Sequence, residues 1–394
     1  MYLYYIISVS IFYETIVYTN NMDIYGDIYG DVYGDVYGGA MIDSGGFGCV
    51  YRPALRCAKS RKRHSGISKL QLKKDAISEY KVMKSILRDL KHIPNYKNFF
   101  ILDVTKCTPN NLTAADKRDM DCRPLQRRNI TTKNINKKLH NLVSLQLEDG
   151  GPTMKTVIRN ITTFEDLLYT HKALVHFFSN GLLPMNEAGI VHGDLKLSNI
   201  LLKKYARLID WGFTYNTNTK YDVHRVNWFH FNLPFAVCFL GKHAFIDAYF
   251  KKTNVTYENA KTLGMQLLEY SKDDRHVELV RELFTNVGVD DFDEVMVDHL
   301  TLVLVKYVDD KTRKFNTRKY FQEVYMHNCD IWSMVICFIE LIDFLPEHLS
   351  DNESVILYMQ NIRNLLRKYI CDVKYAVKPY DKNEILDDIK ALIK

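Results

Sequence analysis

None of the eight cysteines falls in a Cys-x-x-Cys pair, which removes the commonest zinc-ribbon and dithiol motifs. Nor does one sign of charge prevail. The 53 basic and 47 acidic side chains leave a net +6, spread through runs such as 59–64 and 123–138, so nucleic acid is not required as a partner. Those runs read as solvated loops. The chain also lacks a long uncharged apolar run: residues 1–18 are apolar and tyrosine-rich, but Glu14 interrupts them and no basic segment leads them. They fit neither a secretion signal nor a membrane span, and membrane attachment is not expected.

What is there is ordinary globular material. The 394 residues are 47% hydrophobic and 25% charged, enough for a substantial core and two or three compact units. The cysteines are expected to be reduced intracellular thiols, with Cys107 and Cys122, in one long loop, the pair open to a metal or a disulfide. From Asp23 to Gly38 a unit of Asp, Ile or Val, Tyr and Gly repeats four times. It is too short and glycine-rich to build a core, so residues 1–38 are read as a flexible lead-in.

The chemistry concentrates further on. His192-Gly193-Asp194-Leu195-Lys196-Leu197-Ser198-Asn199 is followed by Leu208-Ile209-Asp210-Trp211-Gly212. An aspartate that takes a hydroxyl proton, a lysine two positions on that meets a migrating phosphoryl group, and an asparagine five positions on that holds Mg²⁺ form one loop of phosphoryl-transfer machinery. Asp194, Lys196 and Asn199 keep that spacing, and Asp210, behind a short apolar strand and before a glycine, is placed as a second metal ligand. Upstream, Ile42-Asp43-Ser44-Gly45-Gly46-Phe47-Gly48-Cys49-Val50-Tyr51 reads as a hairpin whose glycines let backbone N–H groups approach phosphates. Phe47 stands at its tip, and Val50 is placed to cap a base.

These segments resemble a eukaryotic-type serine/threonine protein kinase. Residues 44–57, Ile67-Ser68-Lys69-Leu70, Asp210-Trp211-Gly212, residues 231–235 and Asp330-Ile331-Trp332-Ser333 resemble more narrowly the divergent kinases of large nucleocytoplasmic DNA viruses. The resemblance runs from about Met41 to Cys337. It implies an α+β, two-lobed kinase-like fold: a small β-rich lobe over 39–147 and a large, mainly helical lobe over 148–394, with a helical insertion at about 240–326. It implies ATP and Mg²⁺ as cofactors and an unnamed protein substrate. The expected location is the host cytoplasm, with the virion as a second place; oligomeric state is not legible.

Alternation predicts a strand over 67–72, on which the resemblance places Lys69 as the ATP lysine, with Lys59 the competitor and Glu79, on a helix over 76–86, its partner. Ile42, Val50, Leu147 and Leu201 are expected about the nucleotide, under Gly45, Gly46, Phe47 and Gly48. Phe99–Leu102 and Leu142–Leu147 are read as the remaining strands of the small lobe, with a hinge at Glu148–Gly151. Several positions depart from the pattern. Asp43 replaces the first glycine, Gly193 an arginine that reads activation-segment phosphate, and Trp211 a phenylalanine; no clear Ala-Pro-Glu is present, and Asp330 lies much further from Asp194 than in most kinases. Two other readings are a catalytically inactive kinase-like scaffold and a small-molecule phosphotransferase of the aminoglycoside or choline kinase type, since His192-Gly193-Asp194-Leu195 also resembles that loop.

Overall fold

The computed structural model describes residues 39–60, 65–118, 120–217, 234–235, 242–271, 275–286, 288–343 and 345–393. The chain divides into two units, Met1–Tyr37 and Gly38–Lys394, and all described residues belong to the second. The apolar start, the repeat and residues 218–233 lie outside them.

Five antiparallel strands build the small lobe: β1 (Ala40–Ser44), β2 (Gly48–Arg52), β3 (Ile67–Leu72), β4 (Thr105–Cys107) and β5 (Leu142–Leu147), in spatial order β1-β2-β3-β5-β4. All of β3 pairs with β5, from Ile67 opposite Leu147 to Leu72 opposite Leu142. Helix α1 (Lys73–Leu90) follows at once and buries Ala76, Met83, Ile86 and Leu90 along one stripe, as a 3.6-residue period dictates. Because strand side chains alternate, Lys69 and Gln71 of β3 reach Glu79 of α1, while Leu70 faces away.

That other face is not open to solvent. Leu70, with Cys49 and Tyr51 of β2, joins Leu112, Met120, Cys122, Leu125, Ile130, Ile135 and Leu139 of the segment between β4 and β5 in a second hydrophobic core. The basic run at 123–138 is therefore not simply a solvated loop: its apolar residues Leu125, Ile130 and Ile135 recur every five positions and fold inward. The expectation of reduced cysteines holds for Cys329, Cys337 and Cys371 but fails for four others for the same reason. Cys49 and Tyr51 point outward from β2 onto this segment, and disulfides join Cys49 to Cys122 and Cys57 to Cys107, with Cα atoms 5.8 and 5.7 Å apart. Neither pair is Cys107 with Cys122. Phe99–Leu102 is also not a strand of this sheet. All four side chains are buried, and the run meets β8 (Ala206–Leu208) of the large lobe through a bridge between Phe100 and Leu208. An unbroken apolar run does not distinguish a strand from a buried connection; the fourth strand is the polar Thr105–Cys107.

After the turn at 148–153 the chain becomes mainly helical. Helices α2 (Met154–Arg159) and α3 (Phe164–Phe177) lead through α4 (Leu183–Glu187) into β6 (Ile190–Val191) and the loop that ends at β7 (Ile200–Leu202). α3 begins with a reciprocal capping box of Thr163 and Asp166. β7 pairs with β8, and β6 with β9 (Tyr215–Asn216). Helices α5 (His243–Phe250), α6 (Tyr257–Tyr270), α7 (Arg275–Asn286) and α8 (Phe292–Tyr307) occupy the stretch expected to be a helical insertion, with α6 packed on α8. The axis of the lobe is α9 (Met326–Asp343), buried from Asn328 through Leu341. Phe235 closes edge-on against its Trp332, ring centroids 4.6 Å apart. Helices α10 (Glu353–Leu366) and α11 (Lys382–Ala391) complete it. This is a two-lobed α+β architecture, the one the resemblance implies. Among the described residues, no helix is long and apolar enough to cross a membrane.

The disulfides give a direct test. Alkylation of the denatured, unreduced protein should leave Cys49, Cys57, Cys107 and Cys122 unlabelled, and the double variant Cys49→Ala/Cys122→Ala should lose about 2–4 kcal/mol of stability in denaturant melts. Labelling of all four thiols without reductant is the result that refutes the pairing.

Candidate active site

Lys69 and Glu79 meet as an ion pair, Lys69 Nζ lying 2.9 and 3.0 Å from the two carboxylate oxygens. A second carboxylate, Asp210 Oδ1, stands 3.7 Å from the same ammonium. Burial alone would lower the pKa of Lys69, but Asp210 and Glu79 outweigh it and hold it above the ordinary lysine value. Lys59 is exposed in a turn after β2, away from the sheet positions that reach α1. Asp210 itself adopts a left-handed backbone, φ 65°, which turns the chain sharply after β8. The following Trp211 is buried, donates its indole N–H to Ile101 O at 3.2 Å and packs edge-on against Phe100 and His192.

The loop between β6 and β7 is held from below. Asp330, on α9, accepts the N–H groups of His192 (2.8 Å) and Gly193 (3.0 Å), and the Asn186 amide at 2.8 Å. Gly193 has φ +75°, and a Cβ there would lie 3.0 Å from Phe213 O, so glycine suits both the conformation and the space. His192 donates Nε2–H to Ile209 O at 3.0 Å, which leaves Nδ1 to accept the Asp194 N–H at 3.3 Å. Both ring nitrogens are thus occupied in structural bonds. Asp194, 2% exposed, receives Lys196 Nζ on both oxygens at 3.1 and 3.0 Å. Asn199 donates its amide to Asp194 O (2.8 Å) and Oδ2 (3.0 Å).

These bonds decide how a divalent metal would be received. The nitrogen of the Asn199 amide is committed to Asp194, so its oxygen is the end left to ligate. Asp210 offers a half-exposed carboxylate beside Lys69. An amide oxygen and a carboxylate are hard donors, the kind Mg²⁺ takes while keeping several waters. The two residues therefore fit Mg²⁺, although no group of three His, Cys, Asp or Glu side chains forms a complete metal cage among the described residues.

The expected nucleotide wall is spread over four strands. Gly45 N–H bonds Gly48 O at 3.0 Å and closes the turn, with Gly46 and Phe47 exposed at its tip and Ile42 exposed at a bulge in β1. Val50 is half-buried on β2, while Leu147 and Leu201 are buried at the ends of β5 and within β7. A Cβ on Gly150 would lie 2.4 Å from Leu201 Cδ1, so the connection between lobes runs hard against β7. Sequence reading missed three residues of this neighbourhood. Asn186 adds a third donor to Asp330, Gln71 Nε2 bonds Glu79 Oε2 at 2.6 Å, and Glu340 Oε2 accepts Leu197 N–H at 3.4 Å. Gln71 was legible only in being two positions from Lys69 on the same strand face.

No family model matches this chain, and no curated protein does. Among solved structures it is similar to the crystal structure of the kinase domain of PF14_0431, at 13% sequence identity and a TM-score of 0.41, over 90% of this chain and 94% of that one.

Glu340 makes the site pH-sensitive in a defined direction. Burial raises its pKa from the ordinary 4.5 to about 7, against the opposing pull of the Leu197 N–H, Lys155 and Lys196. Between those values the folded chain keeps a proton that the unfolded chain has lost, so this contribution to stability is full below about 4.5 and is lost as pH rises through 7. His171 and His299, which burial lowers to about 4, act oppositely. The difference between wild type and Glu340→Gln isolates the carboxyl: the variant should be the more stable by up to about 3 kcal/mol at pH 8 and converge with wild type near pH 4.5. Denaturant melts across pH would contradict this if the gap were constant.

Proposed function

We propose that the chain is an ATP-dependent serine/threonine protein kinase. What carries the reading is the pairing of Lys69 with Glu79 and Asp210 in one molecule with an Asp194 that Lys196 and Asn199 hold by its carboxylate. In this reading Asp194 accepts the proton of the attacking hydroxyl, and Lys196 moves from Asp194 to the charge gathering on the transferred phosphoryl oxygens. Lys69, oriented by Glu79, neutralises the nucleotide phosphates, and the Gly45–Gly48 turn covers them. Mg²⁺, when bound, would neutralise β- and γ-phosphate charge; Asn199 and Asp210 would hold it. The preference for serine or threonine rests on resemblance at Lys196, and kinship with the kinases of large DNA viruses on resemblance at residues 44–57, 67–70, 210–212, 231–235 and 330–333. The two disulfides add a condition to the intracellular location expected: the small lobe must mature where disulfides survive.

Isothermal calorimetry with Mg-ATP and radiolabel transfer to a peptide library, followed by phosphoamino-acid analysis, test the whole proposal. Lys69→Met should abolish most transfer, and Lys59→Met should barely change it. Asp210→Asn should weaken Mg-ATP binding, whereas Asp194→Asn should leave binding nearly intact and slow transfer by at least about 10²-fold. Binding without transfer to any peptide would favour the scaffold; transfer to sugars or amino alcohols alone would favour the small-molecule enzyme.

A further inference from the structure

The carboxylate of Glu79 takes more than the Lys69 ammonium. Its Oε2 also accepts Gln71 Nε2 at 2.6 Å, the shorter of the two bonds to that oxygen. An ionised carboxylate only accepts, so the nitrogen end of the amide must face it. Gln71 is fully buried, and its Oε1 has no hydrogen-bond partner among the described residues. As core filling the amide is therefore a poor choice, because an apolar side chain of the same length would bury no unmatched oxygen. Its stem has a second contact. Gly48 is paired with Gln71 across the β2–β3 ladder, and a Cβ on Gly48 would lie 2.4 Å from Gln71 Cγ. One side chain thus lies under the last glycine of the phosphate-covering turn and holds the glutamate of α1.

We propose that Gln71 is a positioning residue that keeps Glu79, and with it α1, in place when Lys69 turns from the carboxylates to a nucleotide. The proposal rests on the reading of Lys69 as the phosphate lysine. Lys69 is shared between Glu79 and Asp210 at 2.9 and 3.7 Å, and a bound triphosphate would compete with both for the same ammonium. Gln71 has no such competitor, since its amide reaches Glu79 from the adjacent position on the same face of β3. It therefore supplies a hold on α1 that does not weaken as the nucleotide arrives.

Two substitutions test this. Gln71→Met keeps the length and removes the donor; its melting temperature should equal or exceed that of wild type, while Mg-ATP affinity falls by about tenfold, the scale of a lost bond to a charged group. Amide exchange over residues 76–86 should quicken in Gln71→Met, and by more in the presence of Mg-ATP than in the nucleotide-free protein. Gln71→Glu places a carboxyl that can donate to Glu79 only when protonated, so its affinity defect should be large at pH 8 and shrink as pH falls toward 5.5. Packing alone would give the opposite pattern: a lower melting temperature in Gln71→Met and no pH-dependent recovery in Gln71→Glu, and that result overturns the proposal. So does unchanged exchange over 76–86 in Gln71→Met. If wild type binds no Mg-ATP, the kinase reading fails, and the exchange measurement on the free protein still decides the role of Gln71.

Discussion

A single buried carboxylate at the base of the large lobe organises the candidate site. Asp330 sits on α9 with its oxygens taken up by the N–H groups of His192 and Gly193 and by the Asn186 amide. The loop above it bends through a left-handed glycine, and such a bend would leave two main-chain donors buried without acceptors if Asp330 were absent. Satisfying them fixes where His192 points. His192 in turn uses one ring nitrogen on Ile209 and the other on the Asp194 amide, so the residue before Asp210 and Asp194 itself are located by the same imidazole.

The same physical rule recurs at three carboxylates around the candidate site. Glu79 is met by Lys69 and Gln71, Asp194 by Lys196 and Asn199, and Glu340 by the Leu197 N–H. An uncompensated buried charge is expensive, and donors converge on Glu79 and Asp194. Glu340 is the least compensated, with one long bond, and it is the one whose pKa climbs to about 7. The supports also come from different elements: β3 for Glu79, the loop's own residues for Asp194, and α9 for the loop as a whole. Geometry at the site thus depends on the two lobes being folded, not on any one segment.

The candidate site residues could be picked out in the sequence because their spacing is set by a short loop. The intervals between Asp194, Lys196, Asn199 and Asp210 survive any change in the surrounding helices. The strand over 67–72 could be read from alternation, and α1 from its apolar stripe. What could not be read arises from contacts distant in sequence. Cys49 and Cys122 are 73 residues apart, and only the folding of the 108–141 segment over β2 brings them together. Phe99–Leu102 looks like a strand since it is apolar throughout, yet its partners lie in the other lobe. Gln71 and Glu340 carry no motif; each matters through a neighbour that only the tertiary structure supplies.

The outer covering of the small-lobe sheet changes the mechanics of the Gly45–Gly48 turn. Cys49 follows Gly48 immediately and is tied to Cys122 inside the second core. On the β2 side, the lever that can swing begins at that anchor, so β2 cannot lift without carrying the whole 108–141 segment with it. The moving part is shortened to the few residues between Ser44 and Gly48. A short flap on a stiff mount has little chain to order, and if it covers a nucleotide, as proposed, it has little length with which to swing wide.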